Sequence, residues 1–374
     1  MKTVRPFLVV CGVLGLLHAY VGLRLIPPLP GGQGVAAAFL LVSWVAIPAG
    51  MLARHAAGAT LADVLGWVGA LLMGFFSSLL VLTVLRDAGL GLADLFAVAG
   101  TSSRLAALSA LAVPALAALA TAIGLVVARR VPPVVRVDVP LAGLPPALHG
   151  FRIAQISDVH VGPTIRRPYV QAVVRRVNAL NPDLVAVTGD LVDGRVGDLE
   201  PHVAPIGGLA ARHGTYFVTG NHEYYSGVRE WVPHLRRLGL RVLCNEHVVV
   251  DHGGARLVVA GVPDYSAAGP PSDPGAALAG APDDGTVRIL LAHQPRSAFA
   301  AAKAGFDLQL SGHTHGGQFW PWNHFVRLQQ PFTAGLHRLD GLWVYINRGT
   351  GYWGPPKRLG VASEITLIRL VPAA

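Results

Sequence analysis

The sequence predicts an α/β domain behind an all-α bundle of four membrane-spanning helices, on three observations. Charge is scarce over the first 150 residues and ordinary afterwards. Long apolar runs fill the charge-poor part. Beyond them, short apolar strands alternate with helical periodicity, and polar residues collect where the strands end.

The charge asymmetry sets the frame. Of 374 residues, 52% are hydrophobic and only 14% charged, against about 25% in an average soluble protein. Residues 1–150 hold 9 Lys+Arg and 4 Asp+Glu, leaving 21 and 17 for residues 151–374. The net charge of +9 divides as +5 and +4, with no lysine-rich tail or basic helical stripe. That distribution argues against nucleic acid as a partner. The two cysteines, Cys11 in an apolar run and Cys244 in an expected strand, give neither a disulfide framework nor a thiolate metal site. Any metal must be held by nitrogen and oxygen.

Four apolar stretches, about Phe7–Ile26, Val35–Ala53, Leu61–Leu85 and Leu105–Ala128, approach the roughly 20 residues that cross about 30 Å of hydrocarbon. A signal peptide would explain only the first. A soluble helical domain would need polar faces that these runs lack. Lys2, Arg5, Arg54, Arg129, Arg130 and Arg136 flank one side, against Arg24, Arg86 and Arg104 on the other. The positive-inside bias puts both termini, and the α/β domain, in the cytoplasm. The expectation is an integral protein of the inner or plasma membrane. His18 is the main polar group within a span, with Asp63 and Arg24 near ends, so the helices read as an anchor rather than a transport path. The domains are then 1–130 in the membrane, a proline-rich connector at 131–150, and the α/β domain at 151–374.

Within that domain FRIAQIS (151–157) reads as a buried strand. A helix over 168–180 opens on proline, which suits a first turn. DLVAVTG (183–189) is a strand, a helix lies near 202–212, and TYFVTG (215–220) is a strand. SGVREWVPHLRRLG (226–239) is helical, and LRVLC, HVVVD and RLVVAGV are strands. A Gly/Pro/Ala-rich loop covers 264–286. RILLAH (288–293), a helix from about 295, LQLSG (308–312), GLWVYIN and SEITLIRLV complete the alternation. It implies a largely parallel core sheet, with ligands gathering at the carboxyl ends of the strands.

Those ends carry Asp158 and His160, Asp190, Asn221 and His222, His293, and His313 and His315. A lone histidine is more often a satisfied structural residue than a ligand. Five strand ends delivering such groups together point to a shared metal site. On an extended segment, i and i+2 face the same way, so Asp158 and His160 can grip one ion. His313 and His315 can do likewise, or a bend at Gly316-Gly317 can direct them to two ions. Glycines 189, 220 and 312 precede ligands, where a missing side chain lets backbone approach. With His222 set beside them, the seven other groups suit two divalent ions bridged by Asp190, and a sulfur-free set favours manganese, iron or zinc.

DVH, GDLVD, GNHE, His293 and GHTHGG, in this order over about residues 150–371, resemble the five motifs of the calcineurin-like metallophosphoesterases. ISDVHVG, LLAHQP, GHTHGGQ and RGTGYWGPPKRLG…SEI resemble its membrane-associated branch, which includes relatives assigned to UDP-2,3-diacylglucosamine hydrolysis. The resemblance implies a four-layer fold with two sheets between helices. It implies Asp158, His160, Asp190 and His315 on one ion, and Asp190, Asn221, His293 and His313 on the other. His222 would assist the leaving oxygen from the outer sphere, as proton donor or as electrostatic stabiliser, and Asp193 would orient neighbouring groups. VASE, before the closing strand, departs from relatives that carry proline there.

The chemistry expected is attack on phosphorus by hydroxide shared between the ions, whose parent water has its pKa lowered from about 15.7 toward about 7. Four spans hold the domain where lipid head groups are concentrated. The first reading is therefore a phosphoesterase or pyrophosphatase acting on a lipid or lipid-linked nucleotide. The alternatives are the same chemistry on soluble phosphoesters with the helices as tether, or a non-catalytic metal-binding membrane protein, which would not need His222. Phe319, Trp320, Trp322, Tyr352 and Trp353 are either an amphipathic rim or core. Arg348, Lys357 and Arg358 either receive a second anionic group or are solvated surface.

Overall fold

The computed structural model describes residues 4–56, 59–96, 102–266, 269–283 and 285–373. Lys2 lies outside them, as do the side chains of Arg5 and Arg54. The chain divides into two units, Met1–Val127 with Gly354–Lys357, and Ala128–Trp353 with Arg358–Ala374.

The first unit is helical: α1 (Val4–Leu25), α2 (Gln33–Ala56), α3 (Ala59–Leu95) and α4 (Ser102–Arg129). Each contains a stretch long and apolar enough to cross a membrane. The third is longer than expected. Its 37 residues run past Leu85 through Arg86 and Asp87, because those charges find partners. Asp87 accepts from Tyr20 Oη and Arg24 Nε at 2.7 Å each, and Arg86 donates to Ser109 Oγ at 2.9 Å. His18 is satisfied internally, by Leu14 O at 2.8 Å and Ser43 Oγ at 3.1 Å, and stacks on Phe76. That is the pattern of a structural histidine. The Lys357 ammonium, in the tetrapeptide grouped with these helices, is buried and donates to Gly74 O at 2.9 Å and to Ser78 Oγ. It is not solvated surface.

The second unit contains β1 (Val134–Leu141), β2 (Arg152–Ile156), α5 (Arg167–Asn178), β3 (Leu184–Val187), α6 (Val196–Val203), β4 (Thr215–Phe217), α7 (Asn221–Ser226) and α8 (Val228–Arg237). Then come β5 (Arg241–Val242), β6 (Glu246–His252), β7 (Ala255–Gly261), α9 (Pro274–Ala277), β8 (Val287–Leu291), α10 (Ala298–Ala304), β9 (Leu308–Ser311), β10 (Gly335–Leu339), β11 (Leu342–Ile346) and β12 (Ile365–Pro372).

The strands form two six-stranded sheets, ordered β1-β12-β2-β3-β4-β5 and β10-β11-β9-β8-β7-β6. Alternation along each strand explains their packing. Ile153, Leu184, Ala186, Leu257 and Val259 point into a core between the sheets. Their neighbours Ala154, Val185 and Val187 meet α5, α6 and α8 through Val173, Leu199 and Trp231. On the other sheet Val258 and Ala260 meet Ala298 and Ala301 of α10. The result is helix, sheet, sheet, helix, as the resemblance implies.

Two local expectations are corrected. The proline-rich stretch 131–150 is only partly a connector. Its VVRVDVPL run pairs in parallel with β12, with Pro140 near the end of an edge strand, where no inward N–H is needed. The helix placed near 202–212 lies earlier, at Val196–Val203, and tightens into a 3-10 turn at Ala204–Gly208. The core of the sheets is largely parallel, as expected, with three antiparallel pairs beside it: β12 runs antiparallel to β2, β6 to β7 and β10 to β11. The central strands β2, β3, β4 and β7, β8, β9 are parallel, and these supply the site.

Candidate metal centre

Five parallel strands end next to one another, and the residues just beyond them meet. Asp158, His160 and His315 form one grouping, Asp190, His293 and His313 a second, and His160, Asp193 and His222 a third. Within each grouping the ligand atoms lie within 4.8 Å of one another. The first two groupings overlap the two sets that the resemblance implies, with Asp190 in only one of them and without Asn221. Asp190 Oδ2 lies between them, 3.1 Å from His293 Nε2 and 3.9 Å from His160 Nε2.

The backbone reaches this arrangement at a cost. Asp158, His160, Asp190, His313 and His315 all have positive φ, from 51° to 70°. Left-handed backbone is uncommon outside glycine and costs roughly 1–3 kcal/mol at a bulky residue. Nine non-glycine residues adopt it among the described residues, and five are these. The expected extended geometry at Asp158 and His160 is therefore wrong. Their side chains converge because a tight loop turns them, braced by Asp158 N to Gly189 O (3.0 Å) and His160 N to Asp190 O (3.1 Å).

The flanking glycines are sterically required. A Cβ at Gly220 would overlap the Asp190 carboxylate, 2.8 Å from its carbon. At Gly312 it would overlap Ser157 Oγ and the Asp158 carboxylate, and at Gly189 it would stand 2.8 Å from His293 Nδ1. Gly312→Ala is expected to cost about 1–3 kcal/mol of stability through overpacking, read as a lowered melting temperature in detergent. An unchanged melting temperature would contradict the close approach.

Hydrogen bonds fix which ring nitrogens face inward. His160 Nδ1 donates to Asp193 Oδ1 (3.0 Å) and His293 Nδ1 to Thr188 O (2.8 Å), leaving both Nε2 lone pairs for the centre. His313 Nδ1 stands 3.1 Å from His293 Nε2, and His160 Nε2 is 3.0 Å from His315 Nε2. Burial lowers His313 to about 4, so it is neutral and able to ligate. Burial, with His160 and the Arg358 charge beside it, holds His315 well below the ordinary histidine value. Asn221 Oδ1 is buried without a hydrogen-bond partner, an acceptor with nothing to accept. Bare imidazole nitrogens, carboxylates and an orphan amide oxygen fit divalent cations.

His315 fits less directly. Arg358, fully buried, sets Nη2 3.1 Å from His315 Nδ1 and donates to His315 O at 2.9 Å and Gly351 O at 2.5 Å. A donor at Nδ1 puts the neutral ring's proton on Nε2. Ligation through Nε2 needs that proton on Nδ1 and the guanidinium moved onto the carbonyls it already touches. Arg358 is thus a brace beneath the GHTHGG turn, not solvated surface. Arg348 is half-buried and paired with Glu364 Oε2 at 2.7 Å.

His222 sits at the rim of the centre. Its Nδ1 donates to Asp193 Oδ1 at 2.7 Å, and its Nε2 lies 3.9 Å from Asp190 Oδ2. Burial disfavours its charged form, but the Asp193 hydrogen bond and the charges of Asp193 and Asp190 outweigh burial and raise it to about 9. Asp193 is likewise held well below the usual carboxylate range by His160 and His222 despite burial.

Glu223, quoted within GNHE but given no role from the sequence, organises the backbone. Buried, it accepts from the N–H groups of Asp190 (3.0 Å), Leu191 (2.7 Å), Val192 (3.3 Å) and Gly220 (2.6 Å). Glu223→Gln turns an amide donor against two of these donors. It is expected to destabilise the protein by about 2–3 kcal/mol, read as a thermal shift in detergent; no shift would contradict that role. The RGTG segment is a second brace the sequence did not reveal. Thr350 N donates to Ser157 O (2.7 Å) and Gly351 N to Asp158 O (3.0 Å), across the first motif.

Residues 151–317 match the family model described as calcineurin-like phosphoesterase. A Bos taurus protein named transmembrane protein with metallophosphoesterase domain is 43% identical over 280 residues, 70% of this chain and 63% of that protein. Its Danio rerio namesake is 41% identical over 262 residues, 67% of this chain and 60% of the relative. An Aquifex aeolicus protein named uncharacterized metallophosphoesterase is 34% identical over 229 residues, 59% of this chain and 85% of its own length. The chain thus spans less than two thirds of the two vertebrate relatives.

Proposed function

Because the chain belongs to the calcineurin-like phosphoesterase family, we propose that its clustered imidazoles and carboxylates hold two divalent ions and hydrolyse a phosphoester or phosphoanhydride of a lipid or lipid-linked nucleotide. The observation that carries this reading is the convergence of Asp158, His160, Asp190, His293, His313 and His315 from four strand ends, with Asp190 Oδ2 between the two groupings.

In this reading Asp158, His160, Asp190 and His315 hold one ion, and Asp190, Asn221, His293 and His313 the other, with manganese, iron or zinc suited to such ligands. Divalent ions there would acidify a bound water and neutralise phosphate charge. Asp193 fixes the rings of His160 and His222 by their Nδ1–H groups. His222 then holds a proton at Nε2, aimed where a departing oxygen would need one. The Asp190–Gly220–Glu223 hydrogen bonds keep the two loops in register while charge redistributes. Beside the turn lies a cavity of about 420 Å³ lined by Gly316, Asn323, Thr333, Arg348 and Glu364.

Four apolar helices support action at a membrane, and the resemblance to UDP-2,3-diacylglucosamine hydrolases supports that kind of substrate. The Lys/Arg bias of the span flanks supports the expected orientation, with the phosphoesterase domain on the cytoplasmic side. The test is hydrolysis of bis-p-nitrophenyl phosphate by the full chain after chelation and manganese addition. Metal-dependent turnover is expected, and activity that survives chelation, or none with any divalent ion, contradicts the reading. UDP-2,3-diacylglucosamine in mixed micelles then tests the substrate class.

A further inference from the structure

The second unit carries an exposed apolar patch that neither its core nor the proposed chemistry explains. After the GHTHGG turn, the chain runs through two short 3-10 turns at Trp322–His324 and Val326–Leu328. Trp320, Trp322, Phe325 and Leu328 are exposed there, Leu328 at 85%. Large apolar side chains exposed singly are ordinary, but four within nine residues make a contiguous liability in water. Phe319 and Tyr352, in contrast, are buried, so the aromatic residues divide between rim and core. The exposed group is mixed with His324 and Arg327. Aromatic, aliphatic and basic residues together are the composition of segments that lie at a bilayer–water boundary.

The patch is tied to the site. Gln318 Nε2 donates to Trp353 O at 2.9 Å, and Trp353 N donates to Gln318 Oε1 at 2.8 Å. That reciprocal pair joins the root of the exposed segment to Trp353, itself 51% exposed, whose ring centroid is 5.5 Å from that of His222. The covalent chain ties the same region to the end of an apolar helix. Arg129, the last residue of α4, donates to Thr164 O and lies 3.5 Å from the hydroxyl of Tyr352, the residue before Trp353. Directly after Trp353 comes the tetrapeptide Gly354–Lys357, which groups with the apolar helices.

We propose that the Trp320–Leu328 segment, with Trp353, rests in the headgroup layer of the bilayer that the helices cross, so that the His222 side of the site opens onto lipid head groups. The occupant of the patch is lipid, not a second protein. The proposal rests on the membrane anchoring and not on which ester is cut.

The test uses the full chain with Cys11→Ala and Cys244→Ser, carrying an NBD label at Leu328→Cys, in phosphatidylcholine–phosphatidylglycerol nanodiscs with and without shallow doxyl-labelled lipid. A label at Val249→Cys, on the exposed edge strand β6, is the reference. At the shallow depth of an interfacial segment, about twofold or greater quenching and blue-shifted emission are expected at position 328, with little of either at 249. Water-like emission without quenching at 328 would overturn the proposal. Blue-shifted emission without quenching would also overturn it, by showing cover from protein. No turnover is read, so failure of the phosphoesterase reading and failure of this one are separately visible.

Discussion

Asp190→Ala is expected to lose both metal and hydrolysis, with turnover falling by about three orders of magnitude or more, since ions at such sites supply several kcal/mol of transition-state stabilisation. Asp190 is the one carboxylate placed between the two groupings, with Oδ2 3.1 Å from His293 Nε2 and Oδ1 accepting from His222 N at 2.9 Å. Its removal takes a ligand from both proposed ions at once. It also leaves His293 and His160 facing each other's surroundings without the negative charge that separates them. The fall should appear in elemental analysis before it appears in unfolding, because Glu223 still holds the Asp190 backbone N–H. Retained metal at wild-type stoichiometry in the variant would contradict the shared role.

His222→Ala should behave differently. Turnover is expected to fall by about 10²–10⁴, the range for loss of a positioned proton donor, while metal content stays at the wild-type level. The distinction follows from geometry. His222 reaches the centre only at its edge, 3.9 Å from Asp190 Oδ2, and spends Nδ1 on Asp193. Esters with good leaving groups, such as p-nitrophenolate, should lose less than alkyl esters, because a stable leaving anion needs little protonation. Metal loss equal to that of Asp190→Ala, or an equal fall for both ester types, would contradict the role of proton donor.

Most of this site was legible because parallel strands were legible. RIAQI, LVAV, VRILL and LQLS are short, mainly apolar runs of the kind that a sheet covered on both faces tolerates, and each leads within three residues to Asp158, Asp190, His293 or His313. Composition could not show how those residues converge. Asp158 and His160 meet through left-handed backbone, which i, i+2 spacing does not signal. Glu223, Arg358 and the RGTG segment were opaque for a related reason: their partners are backbone N–H and C=O groups, which leave no mark in side-chain identity. The strand at Val134–Leu141 was hidden by prolines that an edge position accommodates. Arg348, Lys357 and Arg358 looked alike in sequence, yet one pairs with Glu364, one is buried among helix carbonyl and hydroxyl groups, and one braces His315.

Crystals of the full chain grown with manganese, measured at the metal's absorption edge, address the central claim most directly. The account predicts two anomalous peaks about 4 Å or less apart, the spacing of two-ion hydrolytic sites, with Asp190 touching both and Asn221 Oδ1 on one. A single peak beyond reach of Asp190, or no peak among these seven side chains, would contradict it.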